Sequence, residues 1–239
     1  PDLRVVVIGA TEEEARSSRG ARHAVTQWRP DACLIGEPSQ WDRITLGYKG
    51  RLILRWRWRG ALAHSASEVA SPAERAVAYW ERVRRYAEAY NAEREGAFAR
   101  LDATLQEIAS GREGAYGWAE AEIGFRLPPG LDPHELAGAL RPDDGAQVEA
   151  SGHEFAVVAE RDTPVSRALR GAIRAQGGQP RFVHKTGTSD MNVVEPIWKC
   201  PIAAYGPGDS SLDHTPDEHI DLDEYQQAIA VLADALSRL

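Results

Sequence analysis

The chain has 239 residues, 43% of them hydrophobic, and a formal net charge of −8. That is enough apolar material for one large domain or two ordinary ones, which excludes a disordered tail. The acidic balance argues against nucleic acid as a ligand, no apolar run approaches the roughly 20 residues that span a bilayer, and no basic-then-apolar leader opens the sequence. The expectation is a cytoplasmic protein with no nucleic-acid and no membrane partner.

Val5, Val6, Val7 and Ile8 form a β-branched run that predicts a buried strand of a parallel sheet, running into a loop with Glu12, Glu13 and Glu14. Ligands usually sit beyond the carboxyl ends of such strands. A plainer reading of the same residues is a helix start, since Thr11 and Glu14 have capping-box spacing. Arg16, Arg19, Arg22 and His23 follow on a short helix toward Trp28, most simply as a solvated face. A second strand, Ala32 to Gly36, also ends in an acid, Glu37. Cys33 and Cys200 lie in apolar surroundings and read as buried free thiols. A core strand beginning within four residues of Pro1 leads us to expect that a preceding segment is absent from the sequence.

From Ile44 to Gly60 the pattern becomes alternating. Leu52, Leu54, Trp56 and Trp58 share one face, and Arg51, Arg55, Arg57 and Arg59 the other, as in an antiparallel strand with one dry side. Ser71-Pro72-Ala73-Glu74 opens a helix with an N-cap, a first-turn proline and a capping glutamate, and Ala76, Val77, Trp80, Val83, Ala87 and Tyr90 supply its apolar stripe. Strands are expected over 103–108, 118–127 and 147–160, with a helix from Asp132-Pro133 to Leu140 between the last two. This β-α-β-β-α-β order matches a ferredoxin-like unit inserted into the surrounding α/β chain.

Thr163-Pro164 then begins a helix bearing Val165, Leu169 and Ile173 and closed by Gly177-Gly178. A strand from Phe182 enters the loop Lys185-Thr186-Gly187-Thr188-Ser189-Asp190, whose N–H and hydroxyl donors suit a carboxylate. Ala203 to Gly208 reads as strand and turn, leading to Asp213-His214-Thr215-Pro216. A histidine among acids after a strand suits a mixed His and carboxylate metal site. The last helix, from Asp221, carries Leu222, Tyr225, Ile229, Leu232, Leu236 and Leu239 as the stripe expected to face the sheet.

Glu12-Glu13-Glu14, Gly36-Glu37-Pro38-Ser39, His64, Gly187-Thr188-Ser189-Asp190 and Asp213-His214-Thr215-Pro216, in this order, resemble the M20 family of metal-dependent amidohydrolases over essentially the whole chain. Thr45 to Leu52, Lys185 to Asn192 and Tyr205 to Ser210 are similar to the branch that releases lysine or ornithine from the amino-group carrier protein LysW. The resemblance implies an α/β catalytic domain with a partly parallel, aminopeptidase-like sheet, interrupted by a ferredoxin-like α+β lid and dimerisation domain. Its boundaries would be 1–47 and 161–239 for the catalytic domain and 48–160 for the insertion. It further implies two Zn²⁺ or Co²⁺ ions, Glu13 as general base, and Glu14, Glu37 and His214 as metal ligands. His64 would hold the oxyanion across a homodimer made through the inserted domain, and Arg126, Gly187, Thr188 and Ser189 would contact substrate, where Lys185, read from the loop itself, adds charge for a carboxylate. The family's His-x-Asp motif and bridging aspartate precede the acidic loop, whereas twelve residues precede Glu13 here, so only part of the metal site is expected from this sequence. The other readings are a deacylase of acetylated or succinylated amino acids and a non-catalytic binding or assembly protein of the same fold.

Overall fold

The structure, a computed structural model, describes residues 3–62 and 69–239. In chain order its elements are α1 (Arg19–Gln27), β1 (Cys33–Ile35), β2 (Arg43–Tyr48), β3 (Gly50–Ala61), α2 (Pro72–Asn91), β4 (Asp102–Glu113), β5 (Tyr116–Leu127), α3 (Pro133–Ala139), β6 (Gln147–Glu154), β7 (Val157–Val158), α4 (Pro164–Ala175), β8 (Arg181–Lys185), α5 (Met191–Trp198), β9 (Ile202–Ala204) and α6 (Leu222–Ser237). They form two compact units, Pro1–Tyr48 with Val157–Leu239, and Lys49–Ala156. No helix among the described residues is long and apolar enough to cross a membrane.

The Lys49–Ala156 unit is a four-stranded antiparallel sheet in the order β4-β5-β3-β6 with two helices, the ferredoxin-like arrangement. Helix α2 starts where the sequence places it. Ser71 Oγ accepts from Glu74 N at 3.3 Å while Glu74 Oε2 accepts from Ser71 N at 2.7 Å, so two orphan donors of the first turn are satisfied. Its buried face is Ala76, Tyr79, Val83 and Ala87; Val77, expected on this stripe, is exposed, and Tyr79 takes its place. The Tyr79 ring stacks on Trp56 with centroids 5.5 Å apart, and Trp56 is completely buried. An aromatic of this kind removes roughly 150–250 Å² from water, on the order of 4–6 kcal/mol.

Residue size is matched across the strands of this sheet. Trp56 stands opposite Ala121 and Trp58 opposite Ala119, while Leu54 meets Ile123 and Leu52 meets Phe125. The other face is a charge ladder. Arg55 reaches Glu122 at 2.7 Å, Arg57 reaches Glu149 at 3.0 Å and Arg59 reaches Glu113 at 2.6 Å. The arginine face of β3 is therefore paired with glutamates of its own sheet. The strand expected over 147–160 is broken at Phe155 and Ala156, so β6 belongs to this sheet and β7 to the other.

In the other unit the sheet is mixed. β1 runs parallel to β9 and β2 parallel to β8, but β2 is antiparallel to β9 at Thr45 and to β7 at Gly47 and Tyr48. Thr163 caps α4, whose Val165, Leu169 and Ile173 are buried as expected, and Gly177, at φ 84°, ends it in the left-handed region. One core packs α4 and α6 against Ile44, Leu46 and Ala203; another packs α1 and α5 with Tyr48, Ile202 and Ala204.

Three expectations fail in this unit. Val5 to Ile8 is neither a strand nor buried, with Val7 92% exposed. A β-branched run extends only beside a partner edge, and no described strand pairs with it. Helix α6 buries Ala228, Val231 and Ala235, while Leu222, Tyr225, Ile229 and Leu232 of the expected stripe face outward. Small residues let α6 approach α4 closely, and the large ones are left on the adjoining, outward face. Helix α5 follows the 185–190 loop although Pro196 lies within it. The two thiols are free, but both are only partly buried.

Candidate metal centre and active site

The acidic loop is a series of turns over residues 11–17, and the helix starts only at Arg19, so Thr11 and Glu14 do not form a capping box. Glu12 has φ 58°, its carboxylate accepting from Ser17 Oγ at 2.5 Å and from Arg19 at 3.3 Å. Gly20 N donates to Thr11 O at 2.9 Å, and a side chain at Gly20 would collide with the backbone of Ala10 and Thr11. Glycine thus lets the loop close onto the start of α1.

Glu37 follows β1 after Gly36. Its carbonyl accepts from Ser39 Oγ at 3.3 Å, and Gly206, after the parallel strand β9, lies against the same carbonyl, where a Cβ would stand 2.7 Å away. Ser39 N donates to Gly206 O at 2.9 Å, which ties the two strand ends together. Lys185, at the end of β8, donates to Pro38 O. Burial lowers the Lys185 pKa, and the nearby carboxylates of Asp213 and Glu37 offset only part of that shift.

Glu13 and Glu37 share a hydrogen bond between their carboxyls. Burial first, then the charge and hydrogen bond of Glu13, push Glu37 up to about 8; burial, Glu14 and Asp190 raise Glu13 as well. The pair therefore holds a proton that neither acid would keep in water. On the outer side, His214 Nε2 lies 3.3 Å from Glu14 Oε2, both side chains being well exposed.

Asp190 completes the group. It is buried at the start of α5, with its carboxyl raised chiefly by burial, and its Oδ1 has no partner among the described residues. Ser189 is buried next to it, its Oγ accepting from Met191 N at 3.2 Å and its own N–H donating to Asn192 Oδ1 at 3.0 Å. Thr188 is half-buried and Gly187 has open space on its Cβ side. Neither Asp190 nor Tyr48 was singled out from the sequence. Each lies inside a quoted phrase, and the available signal was an acid directly before a helix and an aromatic at a strand end.

The structure thus gathers Glu13, Glu14, Glu37, His214, Lys185 and Ser189 in one unit. Arg126 is in the other unit, on β5, opposite Arg51 and Asp102 in register; burial and then Arg51 lower its pKa. His64 lies outside the described residues. A cavity of about 430 Å³ between α2 and β4, lined by Trp80, Arg84, Glu88 and Arg100, contains none of these groups.

Carboxylates with an imidazole are the donors that Zn²⁺ and related divalent ions take. They stand here as two pairs, and among the described residues no set of three or more His, Cys, Asp or Glu is placed to hold a metal. The donor set fits a divalent ion in kind and supplies part of a coordination shell.

Comparison with known proteins gives the same direction. Residues 1–238 match the family model described as peptidase family M20/M25/M40. A [LysW]-lysine hydrolase of Deinococcus radiodurans is 50% identical over 242 residues, covering 99% of this chain and 67% of that one. A putative [LysW]-lysine/[LysW]-ornithine hydrolase of Thermococcus kodakarensis is 34% identical, covering 100% and 63%. The chain therefore spans about two thirds of the length of these relatives or somewhat less. Among solved structures, the M20 family metallo-carboxypeptidase Sso-CP2 from Sulfolobus solfataricus shares the fold, with a TM-score of 0.71 at 18% identity over 94% of this chain and 68% of that one. A mixed α/β catalytic fold, paired acids at strand ends and this match along nearly the whole sequence lead to one conclusion: the chain belongs to peptidase family M20/M25/M40.

Proposed function

We propose that this chain is the greater part of a metal-dependent amide hydrolase that releases lysine or ornithine from the carrier protein LysW, in amino-acid biosynthesis in the cytoplasm. The observation that carries the reading is the half-buried Glu13, hydrogen-bonded to Glu37 and next to the Glu14–His214 pair, in a chain half identical to a [LysW]-lysine hydrolase. Glu14, Glu37 and His214 would hold two divalent ions, Zn²⁺ or Co²⁺. When bound, such ions polarise the amide carbonyl and make water a nucleophile near neutral pH.

Glu13 takes one proton from the attacking water as its oxygen bonds to the amide carbon, then delivers that proton to the nitrogen as the C–N bond breaks. The products are the free amino acid and a carboxylate on the carrier. Lys185 with the Gly187-Thr188-Ser189 loop supplies donors for a substrate carboxylate, and Arg126 is a further substrate contact. The Lys49–Ala156 unit serves as lid and dimerisation domain, and His64 stabilises the oxyanion across the dimer.

The test uses the full-length enzyme with metal and two substrates, LysW carrying lysine and acetyl-lysine. Lysine release from the carrier should be much faster, and added salt should slow it without touching the small substrate, since Arg16 and Arg22 would meet an acidic carrier. Equal rates without salt dependence would instead mark a small-molecule deacylase. Metal binding with no cleavage of either would mark a binding module.

A further inference from the structure

Tyr48 ends β2 and is held in register on two sides, by Lys185 of β8 and Val157 of β7. Its ring packs with Met191, Val193 and Ile202. Only 3% of the residue is exposed, and among the described residues its hydroxyl has no hydrogen-bond partner. Buried tyrosine hydroxyls nearly always have one. Thr45 and Ser189 face it, neither in a geometry that makes a hydrogen bond. Both neighbours are engaged elsewhere, Thr45 Oγ1 with Ser39 Oγ at 2.8 Å and Ser189 Oγ with Met191 N. The carboxylate that acts on the phenol most strongly is that of Glu37, with Glu13 also in range.

The main chain around Glu37 is already clamped by Ser39, Lys185 and Gly206. That clamp acts on the main chain alone, and the contact given for the side chain itself is with the Glu13 carboxyl. Resting on the hydrolase reading, we propose that Tyr48 is a positioning residue for Glu37: in the metal-loaded enzyme its unpartnered hydroxyl would donate to the Glu37 carboxylate and so set how that side chain is presented to the metal. A ring locked into a core from both neighbouring strands gives such a donor a fixed position. Outer hydrogen bonds of this kind typically contribute about 10- to 100-fold to metal affinity or activity.

The experiment is Tyr48→Phe in the full-length enzyme loaded with Co²⁺ or Zn²⁺. Without metal the hydroxyl has no partner among the described residues, so the thermal midpoint of the metal-free variant should hold or rise. Metal affinity should fall about tenfold or more, kcat should fall with KM within about twofold, and the cobalt absorption spectrum should change shape. Unchanged affinity, kcat and spectrum would make Tyr48 a core residue only and overturn the proposal. Should the variant not fold, 3-fluorotyrosine at position 48 of the otherwise native enzyme gives the second measurement. Its fluorine resonance should move when Zn²⁺ is added, and an unmoved resonance overturns the proposal. A native enzyme that neither binds metal nor cleaves amides defeats the hydrolase reading itself, an outcome distinct from an active enzyme indifferent to Tyr48→Phe.

Discussion

The imidazole of His214 lies 3.3 Å from the Glu14 carboxylate, joining the acidic loop near the start of the chain to the turn that precedes α6. His214 has φ 62°, and its backbone N–H donates to Glu218 Oε2 at 3.0 Å, so the turn rather than packing aims the ring. Glu13, one residue before Glu14, meets the Glu37 carboxyl instead. Adjacent residues thus serve two different pairs.

That divergence separates their roles. In the full-length enzyme, Glu13→Gln should keep nearly all its metal while turnover falls by roughly 10²-fold or more. Glu14→Gln should lose metal. Metal analysis beside steady-state rates checks both, and the reverse pattern would exchange the two assignments.

The shared proton gives a pH signature in the metal-free chain. Glu37 has a folded-state pKa of about 8 against an ordinary 4.5, so the folded chain keeps a proton that the unfolded chain releases between those values. The stability from this group is complete below about pH 4.5 and is lost as pH rises through about 8, with a slope of at most about 1.4 kcal/mol per unit for one proton. Glu13 and Asp190, also raised, act with the same sign. Urea unfolding in chelator should show a lower midpoint at roughly pH 9 than at roughly pH 5, and Glu37→Gln should narrow the difference. Equal narrowing by Glu95→Gln, a surface control, would refute the assignment.

Lys49 tests the other unit. Its ammonium is fully buried, bonded to Asp102 Oδ2 at 2.6 Å and Arg100 O at 2.5 Å. Asp102→Ala leaves that charge without its counterion. Loss of a partner from a buried pair costs about 3–5 kcal/mol, and the half-exposed Asp102 places this case nearer about 2. Lys49→Met with Asp102→Ala should recover most of the loss in denaturant unfolding.

The outward stripe of α6 should drive self-association of this chain. Leu222, Tyr225, Ile229 and Leu232 lie on one side of the helix, with Leu222 70% exposed. Ile229→Glu with Leu232→Lys should lower the aggregate fraction in sedimentation velocity without lowering the thermal midpoint, because neither side chain is in the core. A falling midpoint would mean that the stripe packs against its own chain.

The inserted unit was legible in the sequence because its signals are local. Ser71 and Glu74 cap their helix, and the alternation from Arg51 to Arg59 sets both faces of β3. Carboxylates at strand ends, Glu37 above all, were legible for the same reason. Val5 to Ile8 was misread because β-branching reports what a segment suits, whereas a strand requires a neighbouring edge. On α6 both sides of the helix carry apolar residues, and only the close approach to α4 makes the alanine side the buried one. Asp190 and Tyr48 escaped notice because burial next to Glu13 and Glu37 depends on contacts distant in sequence.

The pairing of tryptophan with alanine across β3 and β5 also bears on how the sheet comes to be aligned. Slide one strand by two residues in one direction and Trp56 meets Ile123, too large for the space. Slide it in the other direction and Leu54 meets Ala121, leaving a hollow, while Arg57 exchanges Glu120 for Trp118. Each misalignment is overfilled or underfilled at several places at once, so the sizes of the facing side chains themselves select the alignment of two strands that α2 and β4 separate in the chain.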